Sequence, residues 1–221
     1  MEDSSLFSLR LSLQVAMTAT LFIVIAGTAF AYLFARRDFR GKELLDIFLT
    51  LPLVLPPTVT GYYLVVVFGR NGVIGKYLYE WTGWNIMFTW YAAVLASFVV
   101  SLPLMIKTTR AAMESVDRNL INASYTLGRT EMETAVRVII PLARKGIIAG
   151  TILSFARAMG EFGATLMVAG NIHGKTDTMP LYIYSLTSGG DWSKANIMVL
   201  FLTALSGTFL YMANRYGRMI I

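Results

Sequence analysis

The chain contains no cysteine and a single histidine, His173, in 221 residues. Disulfides and thiolate metal sites are therefore excluded, and one histidine cannot build a metal cluster alone. Charge is scarce as well, at 14% of residues. No glycine-rich stretch ends in Gly-Lys-Ser or Gly-Lys-Thr, so the sequence offers no phosphate-cradling loop for ATP. What it has in abundance is apolar surface: 56% of residues are hydrophobic and the mean hydropathy is +0.59. That balance points to an integral membrane protein. Residues 1–5 are acidic and polar, and no small-residue cleavage site follows a short apolar core. The first apolar segment is thus expected to be retained.

A bilayer core of roughly 30 Å needs about 20 apolar residues in a helix. Five stretches meet this: residues 11–35, 44–68, 86–106, 146–169 and 196–214. The second is interrupted by Pro52, Pro56 and Pro57, the third holds Pro103, and the fourth carries Arg157 and Glu161. The expected fold is one all-α domain over 1–221, with about five spans.

The basic residues orient these spans. With five crossings, one side collects Arg36, Arg37, Arg40, Lys42, Lys107, Arg110, Arg118, Arg129, Arg137, Arg144, Lys145, Arg215 and Arg218. The other side holds Arg10, Arg70, Lys76, Lys175 and Lys194. This predicts an outside N-terminus and an inside C-terminus, in a prokaryotic cytoplasmic membrane. The polar middle loop then lies in the cytoplasm, where its cations also suit anionic headgroups. On the outer side, Tyr77, Tyr79, Trp81 and Trp84 resemble an interfacial aromatic belt. His173 reads as a surface residue. The twelve methionines are scattered and suggest filler, not a soft-metal relay.

One polar, helix-forming segment stands out between two greasy spans. Asp117 can cap a short helix, Leu120, Ala123 and Leu127 give it a narrow apolar stripe, and Gly128 supplies a stop. A second helix runs towards Pro141. The residues alone fit either an amphipathic helix lying on lipid or a knob for a partner's groove. The spacing is more telling. Asn122-Ala123-Ser124, Gly128, Val138 and Pro141 match the E-A-A, three residues, Gly, nine residues, I-x-L-P pattern by which ABC-importer permeases grip their ATPase. The docking segment is set at about 117–141, with Asp117, Leu120, Asn122, Ala123, Ser124, Leu127, Gly128 and Pro141 as its candidate contacts.

Beyond this loop the chain resembles the permease subunit of molybdate and tungstate ABC importers, within the wider oxyanion group that includes sulfate permeases. The resemblance spans nearly the whole chain. It rests on Phe39-Arg40-Gly41-Lys42, on residues 51–62 (LPLVLPPTVTGY), on the docking segment, and on residues 155–165 (FARAMGEFGAT). Asn122 stands where the wider superfamily has an acidic residue, and Ser124 replaces alanine. The resemblance implies a homodimer with its pathway at the dimer interface, and two ATPase subunits docked from the cytoplasm. It also implies an extracytoplasmic oxyanion-binding protein that delivers substrate. ATP and magnesium would sit on the partner, leaving no cofactor on this chain, no catalytic residue and no nucleic-acid partner.

Two segments are candidates for the pathway or gate. In the second span Pro56 and Pro57 free backbone groups at membrane depth, Thr58 and Thr60 bring hydroxyls, and Gly61 allows close approach. A kinked packing helix is the plainer alternative. In the fourth span Arg157 and Glu161, spaced i and i+4, can pair on one face. The pair either fixes packing or locks one state, because a bare carboxylate repels an anion. Gly163 permits close helix approach and Thr165 offers another hydroxyl. A sulfate or thiosulfate permease, a passive anion channel and a membrane enzyme are the competing readings. The channel leaves the docking segment unexplained, and for the enzyme no acid–base set converges in the sequence.

Overall fold

The computed structural model describes residues 2–217, and every regular element among them is helical. The first apolar run forms α1 (Glu2–Arg36), 35 residues long and hence roughly 50 Å from end to end. It packs along α5 (Trp90–Glu114) and α9 (Arg144–Met159). Small residues make this close approach possible. Ala19, Ala92, Ala93 and Ala96 are fully buried at the seam. A Cβ on Gly27 would stand 2.5 Å from Met105 Cγ of α5, and where α9 meets α5 one on Gly146 would stand 2.2 Å from Ala112 Cβ.

The second apolar run, expected as one interrupted span over 44–68, is two helices. α2 (Lys42–Thr50) ends in a 3₁₀ turn at Leu51–Leu53, and α3 (Pro57–Phe68) leaves it at 116°. The cause is local. Pro56 and Pro57 bring no N–H to the helical ladder. Pro57 also pushes Pro56 into an extended conformation, at φ −54° and ψ 136°. α2 buries none of its residues. It is held by Asp46, whose carboxylate meets Lys107 at 2.8 Å and Arg110 at 3.0 Å on α5.

A short α4 (Gly75–Thr82) follows and presents Tyr77 and Trp81 outward. Beyond α5 the polar segment folds as α6 (Arg118–Thr126), α7 (Glu131–Thr134), a π-type turn at Ala135–Ile139, and α8 (Ile140–Leu142). The stretch Glu131–Leu142 meets α9 at 71°.

The expected span over 146–169 is also broken. α9 stops at Met159, and a short α10 (Gly163–Ala169) begins after three non-helical residues. Glu161 therefore lies in the break and not inside a helix. α11 (Met179–Ser188) and α12 (Trp192–Gly217) complete the fold.

By length and composition, Ser4–Arg36, Trp90–Glu114 and Trp192–Arg215 can each cross a membrane, and the two bent pairs raise the number to as many as five. Arg218, counted above with the basic tail, lies outside the described residues.

Candidate functional site: a docking loop and a broken-helix seam

The loop after α5 is built to project one short helix. Asp117 caps α6 by accepting from the Asn119 N–H at 2.8 Å. Gly128 ends it at φ +78°, with Gly128 N–H donating to Tyr125 O and Arg129 N–H to Ser124 O. This is the pair of bonds by which a left-handed glycine satisfies the last carbonyls of a helix. A Cβ at Gly128 would meet nothing within 4 Å, so glycine stands there for its backbone and not for space.

α6 has two faces. Ile121 and Ser124 turn inward. Ile121 joins Ala31, Met113, Val116, Ile139 and Ala143 in a small core. Ser124 Oγ lies 2.9 Å from Thr134 Oγ1, and both side chains are buried. Leu120, Asn122, Ala123 and Leu127 face outward, Leu120 at 49% and Leu127 at 79% exposure. Of the candidate contacts, Ser124 alone is withdrawn from the open face. Pro141 is exposed, one residue into α8. The loop also exposes Tyr125 and Met132, which the spacing motif does not single out. Exposed apolar groups gathered on one face of a capped helix suit contact with a partner or with lipid.

α7 is fixed independently. Thr130 Oγ1 accepts from the Glu133 N–H, and the Glu133 carboxylate accepts from the Thr130 N–H. This reciprocal cap satisfies two otherwise free donors. Glu131, next to it, reaches back to α1. It accepts from Arg37 Nε at 2.9 Å and Arg37 Nη2 at 2.5 Å, and from the Tyr32 hydroxyl at 3.2 Å.

The second candidate region is brought together by α3 and α10. A Cβ on Gly61 would stand 2.9 Å from Ala164 Cα, and one on Gly163 would stand 2.9 Å from Pro57 Cβ. The two glycines let these broken helices meet backbone to backbone. Pro56, Pro57 and Thr58 lie at the exposed start of α3. Thr60 is buried, and its hydroxyl has no hydrogen-bond partner. Thr165 is buried at 1% exposure and lines no open surface. Arg157 and Glu161 do pair, at 2.8 Å. The contact is an ion pair and not a well-aimed hydrogen bond, which leaves Glu161 Oε2 without a donor. Glu161 Oε1 does a second job that the spacing does not show, accepting from the Ala164 N–H at 2.8 Å. The carboxylate thus caps α10 and ties it to α9.

At the end of the bundle away from α6, Ser12 Oγ accepts from the Met179 N–H at 2.7 Å. His173 is exposed as expected, but it is not isolated. It lies 3.0 Å from buried Asp177 and 3.3 Å from Ser4 Oγ. Among the described residues no cluster of three or more acidic or histidine side chains is placed to hold a metal ion.

The family model described as "Binding-protein-dependent transport system inner membrane component" matches residues 9–218. The chain belongs to that permease family. It is a multi-pass protein of the inner membrane. The permease is 47% identical to the molybdenum transport system permease protein ModB of Escherichia coli K12, over 86% of this chain and 84% of the relative. It is 31% identical to the sulfate transport system permease protein CysT of Salmonella typhimurium, over 96% of this chain and 78% of the relative. Among solved structures, an inward-facing MetNI methionine ABC transporter matches with a TM-score of 0.78. That match covers 100% of this chain and 98% of the other, at 15% identity. Such a likeness speaks for the permease fold alone.

Proposed function

We propose that this permease is the membrane subunit of an ATP-driven importer of molybdate or tungstate. In this reading it works as a homodimer with five spans per copy, its N-terminus outside and its C-terminus inside. Each α6 seats in a groove of one ATPase subunit. ATP and magnesium are bound and turned over on that partner, and an extracytoplasmic binding protein delivers the oxyanion.

The observation that carries the reading is α6 itself. It is a capped, glycine-terminated helix whose inner face is pinned by Ile121 and Ser124 and whose outer face leaves Leu120 and Leu127 exposed. The uneven distribution of arginine and lysine supports placing that face in the cytoplasm. The seam of α3 and α10 suits the pathway, because interrupted helices at membrane depth free backbone groups that can line a cavity. The unpartnered Thr60 hydroxyl is a donor ready for an anion if that seam opens. The higher identity to a molybdenum permease favours that substrate over sulfate, which is the second reading.

The test is ATP hydrolysis in liposomes with the cognate ATPase and binding protein, titrated with molybdate, tungstate and sulfate. Stimulation by the first two and not by sulfate supports the proposal. Stimulation by sulfate alone moves the substrate and keeps the architecture. An ATPase that does not associate with the wild-type permease overturns the docking reading.

A further inference from the structure

We infer that Glu131 is the positioning residue that transmits movement of the docking helix to α1, through a joint with Arg37 and Tyr32. The inference rests on the docking role of α6 proposed above.

The geometry is that of a linkage. α6 is fastened to α7 by the buried hydroxyl pair Ser124–Thr134 at 2.9 Å. Glu131, at the start of α7, is clamped by both Nε and Nη2 of Arg37, and Tyr32 donates to the same carboxylate. A fork of two parallel N–H donors resists rotation as well as separation, which a single point contact does not. Tyr32 and Arg37 lie at the last turn of α1 and just beyond it. Arg36 in that turn also donates to the Met113 carbonyl of α5 at 2.6 Å. The end of α1 therefore holds both helices that flank α6.

α1 is suited to carry the displacement onward. It is continuous for 35 residues and contains no proline. Near its other end Ser12 holds the first N–H of α11, and Ser4 contacts His173 in the loop after α10. A push on α6 thus has a bonded route to the segment that follows the α3–α10 seam. Coupling of this kind needs a contiguous physical path between the two places it joins.

The joint is not a stability device. The Arg37 and Glu131 side chains are 59% and 39% exposed, and pairs this open contribute little to folding. Loss of the pair is therefore expected to leave the permease folded and to show in coupling.

The experiment compares wild type, Glu131→Gln and the charge-exchanged double variant Arg37→Glu with Glu131→Arg, each reconstituted with the ATPase and binding protein. Co-purification of the ATPase, ATP hydrolysis and oxyanion uptake are read separately. The expected result is that Glu131→Gln retains its ATPase but takes up at least about threefold less anion per ATP hydrolysed, and that the exchanged pair recovers most of the loss. Unchanged uptake per ATP in Glu131→Gln, with wild type coupled, overturns the joint and leaves the docking proposal standing. If Glu131→Gln sheds its ATPase, the exchanged variant decides, and failure to recover uptake overturns the joint. Absence of the ATPase from wild type overturns both.

Discussion

The Glu161 carboxylate lies 2.8 Å from the Arg157 guanidinium, across the point where α9 stops. The same carboxylate caps α10 through the Ala164 N–H. At 2% exposure the carboxylate is closed off, while its Arg157 partner is 32% exposed. The position of Glu161 makes it a strut between two helix fragments, and a direct contact with an anionic substrate would set like charges together.

Glu161→Ala removes cap and counter-charge together and is expected to destabilise the permease by about 1–2 kcal/mol, because the Arg157 left behind is 32% exposed and the lost cap dominates. Glu161→Gln keeps an oxygen for the Ala164 N–H and loses the charge, so its loss should be smaller. Thermal unfolding in detergent, followed by tryptophan fluorescence, checks the order. Equal stability of the two variants would mean that the cap contributes nothing.

Gly128 tests the proposed docking role of α6 through its backbone. The open space around it accommodates a methyl group, but φ +78° is strained for an L residue, at about 1 kcal/mol. Gly128→Ala should leave thermal unfolding of the whole permease nearly unchanged and weaken ATPase association. Gly128→Asn, which tolerates this conformation better, should fall between them. Pull-down of the ATPase at graded concentrations gives the ranking.

Gly61 tests the seam through sterics. A Cβ there would approach Met167 Cβ at 2.7 Å and Ala164 Cα at 2.9 Å, and the backbone atom has no rotamer by which to move away. Gly61→Ala should force α3 off α10, costing about 1–3 kcal/mol, and should reduce uptake. A variant that transports normally would show that the seam is not required to close this tightly.

Asp177 makes a pH-dependent contribution. Burial raises its pKa above the ordinary 3.8, and the nearby His173 opposes that shift without cancelling it. A carboxyl with a raised pKa binds protons better folded than unfolded. Its stabilising term is complete below pH 3.8 and is lost as pH rises through the folded value. Asp177→Asn, which can still accept from Gly174 N–H, should therefore gain stability relative to wild type at pH 7 and lose that gain on acidification. Unfolding midpoints across pH 4–7 test this, and a constant difference would point to packing instead of ionisation.

Much of the α6 loop was legible because its rules are local. Asp117 as a cap and Gly128 as a stop depend on a few neighbouring backbone groups, and the structure shows both. The outward stripe of Leu120, Ala123 and Leu127 follows from helical spacing. Ser124 illustrates the limit. Its inward turn depends on Thr134, ten residues on, and nothing in the helical period names that partner. The prolines at 52, 56 and 57 announced an interruption, but not the 116° change of direction. That angle is set by where α3 finds α10.

Composition and near-neighbour spacing are enough to define the class of this protein, its apolar segments, the capped loop and the Arg157–Glu161 pairing. That the fourth apolar run breaks at Glu161, and that Gly61 and Gly163 close one seam, emerges from the packed fold. So do the contacts of Glu131 with Arg37 and of Ser12 with Met179. Each of these joins residues far apart in the chain. Such contacts arise from how the apolar faces of α1, α5, α9 and α10 pack, and packing is a property of the assembled bundle.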